Sequence, residues 1–150
     1  MNFTHEEQAT INNAIAILES KIISSDWMMT SPQHVKSFLK LKLASHDHEL
    51  FAVIFLTNQH QVISFETMFR GTINAASVYP REVAKRALEV NCAAVIFAHN
   101  HPSDNSEPSI ADKALTKVLQ DGLNLLDIRV LDHLVVTKDS VFSFAENGLL

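Results

Sequence analysis

One cysteine and three glycines in 150 residues exclude a good deal of chemistry. A lone Cys92 can form neither an internal disulfide nor a thiolate zinc cage, so any transition metal must be held by histidine and carboxylate. Gly71, Gly122 and Gly148 lie far apart, which rules out a Walker loop and the glycine-rich turn of a dinucleotide site. Basic residues are also short. Twelve Lys and Arg stand against seventeen Asp and Glu, a formal net charge of −5, which argues against an overall nucleic-acid-binding surface. The longest apolar runs, Leu50–Leu56 and Cys92–Ala98, fall well under the ~20 residues a bilayer span requires. The start, Met1-Asn2-Phe3-Thr4-His5-Glu6-Glu7, has neither the basic opening nor the apolar stretch of a signal peptide. A cytoplasmic domain with no membrane span is expected.

What is present is a globular balance of 47% hydrophobic and 19% charged residues, and enough chain to bury one core. Thr4 with Glu7 forms a capping-box start, and Ile11, Ile15, Leu18 and Ile22 follow at helical spacing, ending near Ser24-Ser25. Trp27-Met28-Met29 leads to Ser31-Pro32, an N-cap with proline at the first helical position, and Val35, Phe38 and Leu39 give this second helix an inner face. Leu50–Leu56 and Val62–Phe69 predict a hairpin across the turn Asn58-Gln59-His60-Gln61. A connection from Gly71 to Ser77 leads to a third helix opened by Pro80 and carrying Val83, Ala84, Ala87 and Leu88. Ala93–Ala98 reads as a strand covered on both faces, Asn100 to Pro108 as a polar loop, and Ser109 as the start of a helix reaching about Gly122. Further strand is expected at Ile128–Val130, Leu134–Thr137 and Val141–Phe144. The pattern is α/β, a mixed β-sheet flanked by helices.

His99 and His101 stand two apart at the exit of the Ala93–Ala98 strand, so in extended chain both imidazoles point to one side. Pro102 stiffens the exit, and the loop returns to a helix whose first turn carries Asp112. Two imidazoles and one carboxylate leave a fourth position of a tetrahedral zinc open, the arrangement of a catalytic site rather than a structural one. Ser109-x-x-Asp112 also fits a plain helix cap, and capping is compatible with ligation.

His-x-His-Pro, six residues, Ser, two residues and Asp resembles the JAMM motif of MPN/JAB-domain metalloproteases. The flanking Gly71-Thr72-Ile73-Asn74, Val78-Tyr79-Pro80-Arg81-Glu82, Ala98-His99-Asn100-His101-Pro102-Ser103 and Asp132-His133-Leu134 resemble the RadC family. The likeness runs from about residue 31 to the end, which divides the chain into an N-terminal helical segment, 1–30, and a RadC-like JAMM/MPN domain, 31–150. A short form is expected, without the helix-hairpin-helix segment that precedes the domain in longer members. One departure is Asp104, where the family carries Gly after the Pro-Ser pair.

The resemblance implies an MPN/JAB fold, similar to the cytidine-deaminase-like fold. The deaminases themselves need a Cys-x-x-Cys beside their His-x-Glu, and a chain with one cysteine cannot supply it. It further implies a zinc-dependent hydrolase of peptide or isopeptide bonds, with His99, His101 and Asp112 as metal ligands, one Zn2+ per chain, and Ser109 as a donor to the oxyanion. Another divalent ion fits the same donors. A JAMM site also needs a proton-carrying glutamate from an upstream strand. The sequence offers Glu49, Glu66 and Glu82, and the resemblance maps the role onto Glu49, directly before Leu50–Leu56. The expected partner is a protein or peptide substrate. Two other readings stand beside this one: a DNA-repair or DNA-processing accessory, as the family's traditional name suggests, and a metal-binding module that recruits partners without turnover. The acidic balance gives no support to direct duplex binding.

Elsewhere, His46-Asp47-His48 reads as a solvated loop, and Asp132-His133 as a hydrogen-bonded structural pair. His5, His34 and His60 read as surface positions, and Arg81, Lys85 and Arg86 as a small solvated basic face. Cys92 reads as a buried small hydrophobe.

Overall fold

The structure is a computed structural model and describes residues 3–23, 31–71 and 77–150. The expected end of the first helix at Ser24-Ser25, the Trp27-Met28-Met29 segment and the residues Thr72-Ile73-Asn74 lie outside the described residues.

Helix α1 (His5–Ile23) opens on the Thr4–Glu7 capping box, with Thr4 N–H donating to Glu7 Oε2 at 2.8 Å and Glu7 N–H to Thr4 Oγ1 at 3.3 Å. Its Ile11, Ile15 and Leu18 are only half-buried, so it sits at the periphery. Helix α2 (Pro32–Leu43) buries Val35, Phe38, Leu39 and Leu43; Ser31 occupies the N-cap position, but its side chain makes no cap bond. Strands β1 (Leu50–Leu56) and β2 (Val62–Arg70) form the expected antiparallel hairpin. Helix α3 (Pro80–Glu89) buries Val83 and Ala87, while Leu88, placed on its inner face by spacing, is 57% exposed. Strand β3 (Ala94–Asn100) runs two residues past the expected end, so His99 and Asn100 belong to the strand and not to the loop. Helix α4 (Ile110–Asn124) passes Gly122 because Leu123 still has a core to fill.

Strand β4 (Arg129–Val136) is continuous where the sequence suggested two pieces, and β5 (Val141–Ser143) closes the order. The five strands lie in the order β2-β1-β3-β4-β5, parallel only between β3 and β4, which makes the sheet mixed. One face carries Ala52, Ile54, Ile96, Ala98, Leu134 and Val136 against α2. The other carries Phe51, Val53, Phe55, Val95 and Phe97 against Val83 and Ala87 of α3 and Leu119 and Leu123 of α4. The result is an α/β sandwich with the sheet as its middle layer.

The β3–β4 register explains the gap between the two expected pieces. Val95 pairs with Val130, Ile96 with Asp132 and Phe97 with His133, so Leu131 is an extra residue, a β-bulge. Side chains alternate along a strand, and without the bulge Val130 and His133 would face opposite layers. With it, both face α3 and α4, the side that also holds His99. The bulge breaks the period-two signal just where the polar pair Asp132-His133 interrupts the apolar run.

Candidate metal centre

His99 projects from the last turn of sheet before the chain leaves β3 and is 1% exposed. His101 follows two residues on. Its N–H still donates to Val136 O at 2.9 Å, which keeps the backbone extended and both imidazoles on one side. Asp112 arrives from the first turn of α4, where it completes a capping box. Ser109 N–H donates to Asp112 Oδ2 at 2.7 Å, and Asp112 N–H donates to Ser109 Oγ at 3.0 Å. Cap and ligand geometry therefore coexist, because the bonds that start the helix also fix the carboxylate.

The loop between them needs one left-handed residue, Asp104, at φ 61°. Aspartate tolerates that region better than most side chains. Its carboxylate is held by Lys138, through the backbone N–H at 3.3 Å and Nζ at 3.2 Å. That accounts for a loop that turns correctly without glycine.

The three donors converge. His99 Nε2 lies 2.9 Å from His101 Nε2, His99 Nε2 lies 3.4 Å from Asp112 Oδ1, and His101 Nε2 lies 3.2 Å from Asp112 Oδ2. Bonds of 2.0–2.1 Å to a tetrahedral ion imply donor–donor edges of about 3.3 Å, which these separations bracket. His101 Nδ1 is 2.7 Å from Asn105 O, and a carbonyl can only accept, so the ring proton sits there and Nε2 turns a lone pair to the cluster. The His99–His101–Asp112 set can hold a metal ion.

Electrostatics agree with that donor set. Asp112 raises the pKa of His101 above its ordinary value against the opposing effect of burial, with Asn105 O and Glu49 adding to the rise. Burial by itself would push the Asp112 carboxyl up, but His101, His99 and the Ser109 N–H outweigh it and hold the group well below the usual carboxylate range. The cluster attracts positive charge, whether a proton or a cation. Metal binding and protonation of His101 compete.

Glu49, His99, His101, Ser109 and Asp112 all line one cleft of about 640 Å³. Extending the β1–β3 register by two residues from Phe51 opposite His99 sets Glu49 opposite His101, on the same face. Phe51, Val78, Pro102, Pro108 and Leu115 form the apolar walls, and Glu107 adds another acid. No Lys or Arg lines the cleft among the described residues. The other two glutamates lie elsewhere. Glu66 is on β2, where both its carboxylate oxygens accept from Arg86, and Glu82 is exposed in the first turn of α3. Arg86 thus belongs to an ion pair, and the basic face of α3 reduces to Arg81 and Lys85.

Two roles escaped the sequence reasoning, that of Asn100 and that of His133 toward His99. Asn100, between the two histidines, points to the opposite face. Its Oδ1 accepts from Leu50 N–H at 2.7 Å, and its Nδ2 donates to His48 O at 2.9 Å and His46 O at 3.3 Å. It ties down the segment that carries Glu49. His133 is fully buried, and its Nε2 is 2.8 Å from His99 Nδ1. Burial among aromatic rings, with His99 nearby, keeps its pKa well below the usual value. The signal for His133 was the Asp132-His133-Leu134 motif. Asp132 itself holds the backbone, accepting from His133 N–H, Ala145 N–H and the Ser143 hydroxyl. His46 and Asp47 are exposed and Cys92 is buried.

The RadC-like JAB domain family matches residues 29–149 of the chain. A UPF0758 protein of Methylibium petroleiphilum is 63% identical over 120 residues, 80% of this chain and 54% of that protein. A UPF0758 protein of Vibrio cholerae is 54% identical over 144 residues, 96% of this chain and 90% of that protein. A third, from Leptothrix cholodnii, is 52% identical over 145 residues, 97% of this chain and 65% of that protein. The chain thus spans little more than half of the Methylibium relative and nearly all of the Vibrio one. No helix among the described residues is long and apolar enough to cross a membrane.

Proposed function

The chain belongs to the RadC-like JAB domain family, and from that premise we propose that it is a Zn2+-dependent hydrolase of peptide or isopeptide bonds. The observation that carries the reading is the convergence of His99 Nε2, His101 Nε2 and the Asp112 carboxylate on the wall of an open cleft. These three residues would hold one ion per chain. When bound, Zn2+ would supply Lewis acidity, lowering the pKa of a coordinated water toward neutrality.

Glu49 carries the proton, taking it from the attacking water and returning it to the leaving amine. Ser109 accepts a hydrogen bond from Asp112 N–H through its oxygen and has its own hydrogen to donate toward the carbonyl oxygen as charge builds there. The apolar walls suit side chains on either side of a neutral amide. A cleft lined by Glu49, Glu107 and Asp112, and by no Lys or Arg among the described residues, offers no side-chain cation to a run of phosphates, which favours peptide over nucleic acid.

Metal analysis of the purified protein, with a broad peptide-cleavage screen, tests the reading. Close to one Zn2+ per wild-type chain is expected, lost in His99→Ala and in Asp112→Ala, because two donors are too few. Equal metal content in all three proteins refutes the site. Glu49→Gln is expected to keep its metal and its circular dichroism while hydrolysis falls by ~10²–10⁴-fold. Metal retention with no cleavage of any peptide by wild type favours a recruitment module instead.

A further inference from the structure

The hydrogen bonds behind His99 form a circuit that the proposed reaction does not use. Thr116, on α4, is 2% exposed, and its hydroxyl lies 2.7 Å from the main-chain oxygen of Asp112 and 2.6 Å from His133 Nδ1. A hydroxyl has one hydrogen, and a carbonyl oxygen can only accept. Both contacts are satisfied only if Thr116 gives its hydrogen to Asp112 O and accepts from His133 Nδ1–H. The buried His133 ring, with its proton on Nδ1, then presents a lone pair at Nε2. That lone pair is 2.8 Å from His99 Nδ1, so His99 must carry its proton on Nδ1. Its Nε2 is left with a lone pair aimed at His101 and Asp112.

We propose that Thr116 and His133 are positioning residues for the metal centre, a relay that fixes the tautomer and ring orientation of His99 so that Nε2 is a ligand atom. The proposal rests on the metal-site reading above. His133 touches neither the cleft nor the other two donors; it acts through His99. The circuit starts at the backbone of one ligand, Asp112, and ends on the ring of another, crossing α4, β4 and β3. A shift of α4 is thereby felt at both ligands together. Metal-bound histidines commonly donate their second ring nitrogen to a carboxylate, carbonyl or water. Here the acceptor is a second imidazole, whose own proton position is dictated by a threonine. With no partner on Nδ1, a neutral imidazole distributes its proton over both nitrogens, and the fraction protonated on Nε2 cannot ligate.

The test uses the full chain and two readouts. In metal-free wild type in mildly alkaline buffer, long-range proton–nitrogen NMR is expected to show His99 protonated on Nδ1; protonation on Nε2 overturns the proposal. Zn2+ affinity is then measured by competition with a chromogenic chelator. His133→Leu, which cannot accept from His99, is expected to bind ~10–100-fold more weakly. His133→Gln, whose amide can accept from His99 and donate to Thr116, is expected to recover much of that loss. A merely structural role would leave the His99 tautomer unchanged and give both folded variants the same affinity. Wild-type affinity in folded His133→Leu overturns the relay. Should His133→Leu fail to fold, Thr116→Val against Thr116→Ser asks the same question one bond further back, with weaker binding expected only for valine and equal binding refuting the relay. If wild type takes up no Zn2+, the metal reading fails by itself, and the His99 tautomer still decides the relay.

Discussion

Replacing Asn100 by alanine separates the segment that carries Glu49 from the metal donors, although Asn100 sits between two of them in sequence. The side chain is 1% exposed and makes three hydrogen bonds, one from Leu50 N–H at the start of β1 and two to His46 O and His48 O in the segment before it. Removing it leaves the Leu50 N–H buried without an acceptor, a loss of ~1–3 kcal/mol, while the two carbonyls, being only part-buried, recover some bonding from water. A total near 3 kcal/mol is a large part of the ~5–15 kcal/mol that holds a domain together. With a urea dependence of about 2 kcal/mol per molar, the unfolding midpoint should fall by roughly 1.5 M. Zn2+ affinity should stay near wild type, because Asn100 contacts none of the three donors. Any peptide hydrolysis should drop, because Glu49 is no longer tied opposite His101. Urea titration, chelator competition and the peptide assay read these quantities separately. An unchanged midpoint, or Zn2+ affinity lost in step with stability, would refute the assignment of Asn100 to the glutamate's scaffold.

Glu66→Gln tests the hairpin's ion pair. The Arg86 hydrogen bond, against burial, holds the Glu66 carboxyl below its ordinary 4.5, so the pair's stabilisation is complete above that value and is lost as pH falls through the lower folded one. The variant should melt only about 2 °C lower at neutral pH, since both partners are solvent-screened, and should match wild type in acid; a gap that persists in acid contradicts the assignment. Ser109→Ala removes the oxygen that accepts from Asp112 N–H and should cost ~1 kcal/mol by calorimetry, with Ser109→Asn restoring most of it. Fluorescence anisotropy with single- and double-stranded DNA should show weak or no binding at physiological salt; tight binding with a steep salt dependence would return the DNA-processing reading to first place.

Local pattern carried the central strands and the helix starts. Leu50–Leu56 and the apolar body of β3 could be read because strands covered on both faces lose their polar alternation. Ser109-x-x-Asp112 marked α4 because capping is a contact within three residues. The convergence of His99 with His101 followed from strand geometry, and the approach of Asp112 from a short loop. Asn100 and His133 were hidden for a different reason. Their partners lie 50 and 34 residues away, and only the order β1-β3-β4 brings them together. Arg86 was placed on a solvated face because its partner Glu66 lies on another element, twenty residues earlier.

The extra residue in β4 gives the sheet an unequal tolerance to lost codons. Dropping codon 131 would let Val130 and Asp132 become neighbours in a regular ladder, with Asp132 still opposite Ile96 and His133 still opposite Phe97. The strand holds a spare, and the reading of inside and outside survives its removal. Strand β3 holds no such spare against β1, where pairing runs unbroken from Phe51–His99 to Leu56–Ala94. Losing codon 96 there reverses one flank of the strand relative to the other and turns either His99 or the Ala94–Val95 end to the wrong layer. In a library of single-codon deletions scored for soluble, Zn2+-binding protein, the loss at 131 should survive and the loss at 96 should not. Equal recovery of both would show that the bulge does not set the facing of His133.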